Sequence, residues 1–234
     1  MNRREFFIPT AAGVFASAHG ASLLSNAPAF AQATRSMSGM TVLIIRHAEK
    51  PDRGWPGPGL AANGEQDKKS LVIRGWQRAG AWATLFGAGI DASGTYPAPA
   101  RIYAANPADS ASQRPFETIK PLADRLKLTP ITHWGYGDEG ELTMDIDGFT
   151  GVALVCWEHK AIIATLLPAL LAGQHVPDLP AKWDGARFDV VLRLDRANSA
   201  APWSFRQLFP QLLDGDSDAS VQLPGARRLA ANQT

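Results

Sequence analysis

The stretch "TVLIIRHAEKPDRG", from Thr41 to Gly54, decides how the rest of the chain is read. Residues 41–45 are an unbroken apolar run rich in β-branched side chains, the pattern of a strand buried on both faces. The run ends in Arg46-His47, and Pro51 and Gly54 then mark a loop. A cation at the end of a buried strand is costly unless an anion meets it there. The rest of the sequence indicates which anion.

Residues 51–70 read as a loop, rich in Pro, Gly, Asn and Asp. After it, Trp76, Ala79, Ala83 and Phe86 fall at helical spacing, and Gly87 and Gly89 close the helix. "RIYAAN" (101–106) predicts a second strand. "RPFETIKPLADRLKL" (114–128) predicts a helix with Phe116, Ile119, Leu122 and Leu126 on one side and a kink at Pro121. The acidic stretch 129–150 reads as loop. "GVALVCW" (151–157) is a third buried strand and "HKAIIATLLPALLAG" the helix after it. "RFDVVLRLDR" (187–196) alternates apolar and polar residues, as an outer strand does. From Asp214 the tail is expected to be loose.

Strands alternating with helices predict an α/β domain: a mostly parallel sheet covered on both faces. Ligands bind such sheets beyond the carboxyl ends of the strands. Arg46 and His47 end the first strand, His159 follows the third, and Arg114 opens the helix after the second. These four groups are expected on one rim.

Here the residues carry a family resemblance. "LIIRHAEKP", "SQRPFETIKPLADRL" and "VALVCWEHKAI" resemble the histidine phosphatase superfamily. Its pattern is a strand ending in Arg-His, an Arg opening a later helix within R-x-x-x-T, and a second His after another strand. Arg46-His47, Arg114 with Thr118, and His159 fill these places in order, and Leu71, Gly75 and Gln77-Arg78-Ala79 match the family's first helix. The resemblance covers about residues 41–196. Ala48 stands where the family has Gly after Arg-His. The fold it implies is a three-layer α/β/α sandwich with a mostly parallel central sheet, phosphoglycerate-mutase-like. "RHAEKP" resembles an exported branch, in which Lys50 would add a phosphate contact.

The chemistry follows from the residue types. A phosphoryl group carries about two negative charges near neutral pH. Two guanidiniums grip its oxygens and stay charged, while neutral imidazole is a good nucleophile. His47 is expected to attack phosphorus and form a phosphohistidine. Arg46, Arg114 and His159 would hold the equatorial oxygens. The leaving oxygen needs a proton. The resemblance points for this acid to the segment after Arg114, where "YGDEGELTMDIDG" offers Asp138, Glu139 and Glu141. Glu141 is favoured by spacing, Glu158 beside His159 is its rival and Glu49 a third choice. The expected activity is hydrolysis of a small phosphomonoester. A phosphoglycerate-mutase-type transferase and a silent phospho-ligand binding module are the alternatives.

Other features are read as structural. No HxH or HExxH spacing appears, so neither metal nor cofactor is expected. "DGDSDAS" (214–220) begins like a calcium loop but lacks its Gly and Glu, and reads as a solvated turn. Cys156, the only cysteine, sits in an apolar run and reads as core packing. Trp76, Trp82 and Trp157 read likewise, whereas Trp55, in the loop after His47, is a candidate substrate wall.

Residues 1–31 differ from the rest. Arg3-Arg4 precede a mildly apolar middle and an Ala-x-Ala exit at Ala29-Phe30-Ala31, the layout of an export signal of twin-arginine type cleaved after Ala31. The expected organisation is that signal followed by a single domain over 32–234, periplasmic or secreted. Of 23 basic and 22 acidic residues, Arg3, Arg4 and Glu5 leave with the signal, so 21 of each remain. No basic surplus is left to bind nucleic acid. After the signal the longest apolar run spans 13 residues and contains Pro168, too short for a stable membrane span.

Overall fold

A computed structural model describes residues 39–221 except 53, 90, 92 and 109–111. The signal-like segment 1–31 lies outside the described residues. The elements run β1 (Met40–Arg46), α1 (Ile73–Gly87), β2 (Arg101–Ala104), α2 (Arg114–Leu126), α3 (Glu139–Asp147), β3 (Gly151–Trp157), α4 (His159–Ala161), a π-helical turn (Ile162–Leu166), α5 (Leu167–Leu171), β4 (Val191–Arg196) and β5 (Ser204–Leu208).

The strands form one sheet in the order β2-β3-β1-β4-β5. β2, β3 and β1 are parallel, whereas β4 and β5 are antiparallel to their neighbours. β1 is central, and all its residues are buried. Its side chains alternate between two cores. Val42 and Ile44 face α3 and the helix after β3, through Leu142, Ile146, Ile162 and Leu166. Leu43 and Ile45 face α1 and α2, through Trp82, Phe86, Ile119 and Leu122. The result is the expected α/β/α sandwich. Full burial of one such aliphatic or aromatic side chain contributes about 1.5–3 kcal/mol.

The register of β1 on β3 positions the site. Arg46 pairs with Trp157, so both strands end at one level. The His47 N–H then donates to the Trp157 carbonyl at 3.1 Å. That bond sets residue 47 beside the segment that carries Glu158 and His159.

Three expectations change. Residues 129–150 are not all loop, because α3 forms where Leu142 and Ile146, one turn apart, reach the core. β4 is not outermost, since β5 pairs along its outer edge. The chain from Asp214, expected to be loose, is held down as far as Val221, which is itself buried in the core. Among the described residues no helix is long and apolar enough to cross a membrane.

Candidate active site

His47 is 4 % exposed. Its Nδ1 lies 2.8 Å from the Ala48 carbonyl oxygen. A carbonyl only accepts, so Nδ1 carries the hydrogen and Nε2 keeps its lone pair. The ring is kept neutral as well as oriented. Burial first, then the charge of Arg46, lowers its pKa to about 3, against the hydrogen bond to Ala48, which raises it. Arg114 lowers it further and Glu158 raises it, so both lie within electrostatic reach of the ring.

Arg46 is buried under the Phe188 ring, its guanidinium carbon 3.8 Å from the ring centre. Its Nη1 donates to the carbonyls of Gly185 at 2.7 Å and Arg187 at 3.0 Å. Its Nε is buried with no hydrogen-bond partner. Burial lowers its pKa to about 10, opposed chiefly by Glu158, so it remains a cation at neutral pH.

Arg114 opens α2. Its Nη2 donates to the Lys68 carbonyl at 2.6 Å and its Nε to that of Ser70 at 3.3 Å. Glu117 fixes the same loop, accepting from Ser70 Oγ at 2.6 Å and the Leu71 N–H at 2.9 Å. Thr118 ties α2 to the histidine loop: its hydroxyl accepts the Ala48 N–H at 2.8 Å and donates to the Arg114 carbonyl at 2.7 Å.

On the other side, Glu158 caps α4 and accepts from the N–H groups of Lys160 at 2.8 Å and Ala161 at 3.0 Å. Its other oxygen lies 2.6 Å from His159 Nδ1, off the hydrogen-bond direction. Burial alone would raise the pKa of Glu158. His159 and the capping N–H groups outweigh that and hold it near 2. A carboxylate held so firmly ionised is a poor proton donor.

Glu141, the carboxyl favoured by spacing, lies exposed on α3. Two residues along a helix is about 200° of rotation, so its neighbour Glu139 faces inward and is 3 % exposed. Glu139 Oε1 accepts the Trp157 indole N–H at 2.8 Å. Tyr136, which the sequence did not single out, stands with its ring edge toward Trp157, their centres 5.7 Å apart. Burial raises its hydroxyl pKa above the usual value, and Glu158, Arg114 and Glu139 all act on it.

Glu49 is wholly buried and its side chain is taken up by arginines. Arg78 Nη2 lies 2.8 Å from Oε1, and Arg74 Nε 3.5 Å from the same atom. Arg78 also grips Asp216, at 2.7 and 3.0 Å. Asp216 is therefore an anchor and not part of a solvated turn. Lys50, expected at the phosphate, is half-buried directly after Glu49. Trp55 stands edge-on to Phe188, 6.2 Å between centres, and His47 is tilted against the same ring at 6.0 Å. Arg114 and Glu158 thus act electrostatically on both Arg46 and His47, and His159 adjoins Glu158. No group of three His, Cys, Asp or Glu side chains among the described residues could hold a metal ion.

No family model matches the chain, and no curated protein does. Solved structures resemble it in outline. A mycobacterial glucosyl-3-phosphoglycerate phosphatase is 15% identical over 73% of this chain and 98% of its own, with a TM-score of 0.43. The protein histidine phosphatase SixA, complexed with tungstate, is 16% identical over 73% and 97%, with a TM-score of 0.45. A phosphoserine phosphatase from Entamoeba histolytica, complexed with phosphoserine, is 15% identical over 66% and 90%, with a TM-score of 0.38. The chemistry of this chain follows from its own side chains.

Proposed function

We propose that this chain is a phosphatase of the histidine phosphatase type, hydrolysing phosphomonoesters through a phosphohistidine on His47. One observation supports the reading: the buried His47 ring is tied through Nδ1 to the Ala48 carbonyl, which leaves Nε2 unprotonated on a ring that feels the charge of Arg46. A histidine kept solely for packing has no need of two guanidiniums acting on it.

In the first step the Nε2 lone pair attacks phosphorus, the N–P bond forms and the ester P–O bond breaks. Arg46 through Nε, Arg114 and His159 hold the phosphoryl oxygens as charge spreads over them. The leaving oxygen takes a proton from Glu139, the α3 carboxyl facing inward, with the exposed Glu141 as the alternative on the same helix. Water then attacks the phosphohistidine, returns a proton to Glu139 and releases phosphate with His47 regenerated. Lys50 is a further contact for the phosphoryl group.

The first 31 residues are read as a twin-arginine-type export signal, which makes the mature enzyme periplasmic or secreted. The support is the sequence layout alone, and cell fractionation of Arg3→Lys/Arg4→Lys against wild type tests it: the variant is retained in the cytoplasm.

Turnover of p-nitrophenyl phosphate by the mature chain, with chelator present, tests the activity. Phosphate release that disappears in His47→Ala supports the phosphatase. Tight phosphate binding without release would favour the silent binding module.

A further inference from the structure

A cavity of about 450 Å³ opens beside the candidate site, a volume suited to a small ligand. His159 and Gly185 form its inner side. The Gly185 carbonyl is the one that accepts from Arg46 at 2.7 Å. Ile163, Ala164 and the buried Trp183 give it an apolar lining. The Trp183 indole N–H is spent on the Arg187 carbonyl at 3.0 Å, so the side chain offers the cavity only ring carbon. That same carbonyl accepts from Arg46 at 3.0 Å. Cavity lining and phosphate-side guanidinium therefore hang on one backbone oxygen. Ile163 and Ala164 lie in the π-helical turn, a distortion that recurs at functional sites.

Lys160 and Lys182 complete the lining. Both are exposed, and neither has an ion-pair partner among the described residues. A phosphoryl group of about two negative charges is already answered by Arg46 and Arg114. The lysines are two further positive charges on a largely apolar lining, with the carboxylates of Glu158 and Asp184 next to it in sequence.

We infer that this cavity binds the alcohol half of the substrate, and that this alcohol has an apolar body carrying a second anionic group such as a carboxylate. A small polyhydroxylated alcohol would leave the apolar lining unused and offer the lysines no negative charge. The inference rests on the phosphatase reading of the neighbouring site.

Phenyl phosphate, 2-naphthyl phosphate and 6-carboxy-2-naphthyl phosphate share one leaving-group chemistry and test it in sequence. For the wild-type mature chain, kcat/KM is expected to rise about tenfold from phenyl to naphthyl, the scale of a small apolar group filling a pocket. It should rise a further threefold or so with the carboxylate, the scale of an exposed ion pair. Ala164→Arg, which fills the cavity, should bring the naphthyl-to-phenyl ratio close to one. Lys160→Ala/Lys182→Ala should remove the gain from the carboxylate and leave the naphthyl-to-phenyl ratio standing. Equal kcat/KM for the three esters in wild type, or gains that survive in both variants, overturn the inference while the phosphatase stands. Turnover of none of the three overturns the phosphatase reading itself, and the inference with it. The wild-type comparison needs no variant to fold.

Discussion

Thr118 holds Ala48 in place: one hydroxyl on α2 accepts the N–H of the residue after His47, at 2.8 Å, and donates to the Arg114 carbonyl, at 2.7 Å. The two segments expected to grip one phosphoryl group are thus joined by a single buried oxygen. Thr118→Val keeps the shape and deletes both bonds. The cost is about 1–3 kcal/mol, since the buried Ala48 N–H is left unpaired. kcat/KM on an aryl phosphate should fall about tenfold, on the scale of a slightly misplaced nucleophile. Thr118→Ser should restore most of both, as read by denaturant unfolding and steady-state kinetics.

Gly75 shows a second constraint on the same loop. A Cβ there would lie 2.5 Å from the backbone oxygen of Glu49, which cannot swing aside as a side-chain tip can. Gly75→Ala is expected to destabilise by about 1–3 kcal/mol, as overpacking does. Gly80, in the same helix, has nothing within 4 Å of its would-be Cβ. Gly80→Ala should stabilise by about 0.5–1 kcal/mol, since alanine suits a helix interior better. Opposite signs in one helix, measured by urea unfolding, are the check.

Asp216 ties the C-terminal segment to α1 through the buried Arg78. Burial works against the charge of Arg78, and the bonds to Asp216 and Glu49 outweigh it, lifting its pKa above the usual value. Asp216→Ala leaves Arg78 with Glu49 as its anchor and should cost about 3 kcal/mol, at the lower end for a broken buried pair. Asp218→Ala, at an exposed position, should stay within about 0.5 kcal/mol of wild type. The midpoints of denaturant unfolding distinguish them.

The buried His47 makes stability depend on acid. Its pKa is about 3 folded against about 6.5 for an unperturbed histidine. Between those values the unfolded chain binds a proton that the folded chain does not. Stability is therefore complete above about pH 6.5 and declines as pH falls towards 3. From pH 7 to pH 4 this one group removes up to about 3 kcal/mol. His47→Gln should lose that much less over the same range. Parallel curves for the two proteins would show that the ring is not buried as described.

Legibility in the sequence followed local pattern. The β-branched run of β1, the apolar run of β3 and the 3.6-residue spacing of α1 and α2 are each written within a few neighbours; Arg46 and His47 fall at the carboxyl end of β1, His159 just past β3 and Arg114 at the start of α2. α3 is hidden in the sequence because acidic residues surround its buried Leu142 and Ile146. Without that helix no helical phase separates Glu139 from Glu141. β5, a short polar edge strand, has no apolar run to mark it. Arg78 with Asp216, and Phe188 over Arg46, join residues more than a hundred apart, which no local pattern encodes.

The central claim is a covalent bond between His47 Nε2 and phosphorus. Incubating the mature chain with a ³²P-labelled aryl phosphate, quenching in alkali and mapping the label tests it most directly. The account predicts an alkali-stable, acid-labile label on residue 47, absent in His47→Ala along with turnover. Turnover that survives His47→Ala, or a label stable in acid and mapped elsewhere, would contradict it.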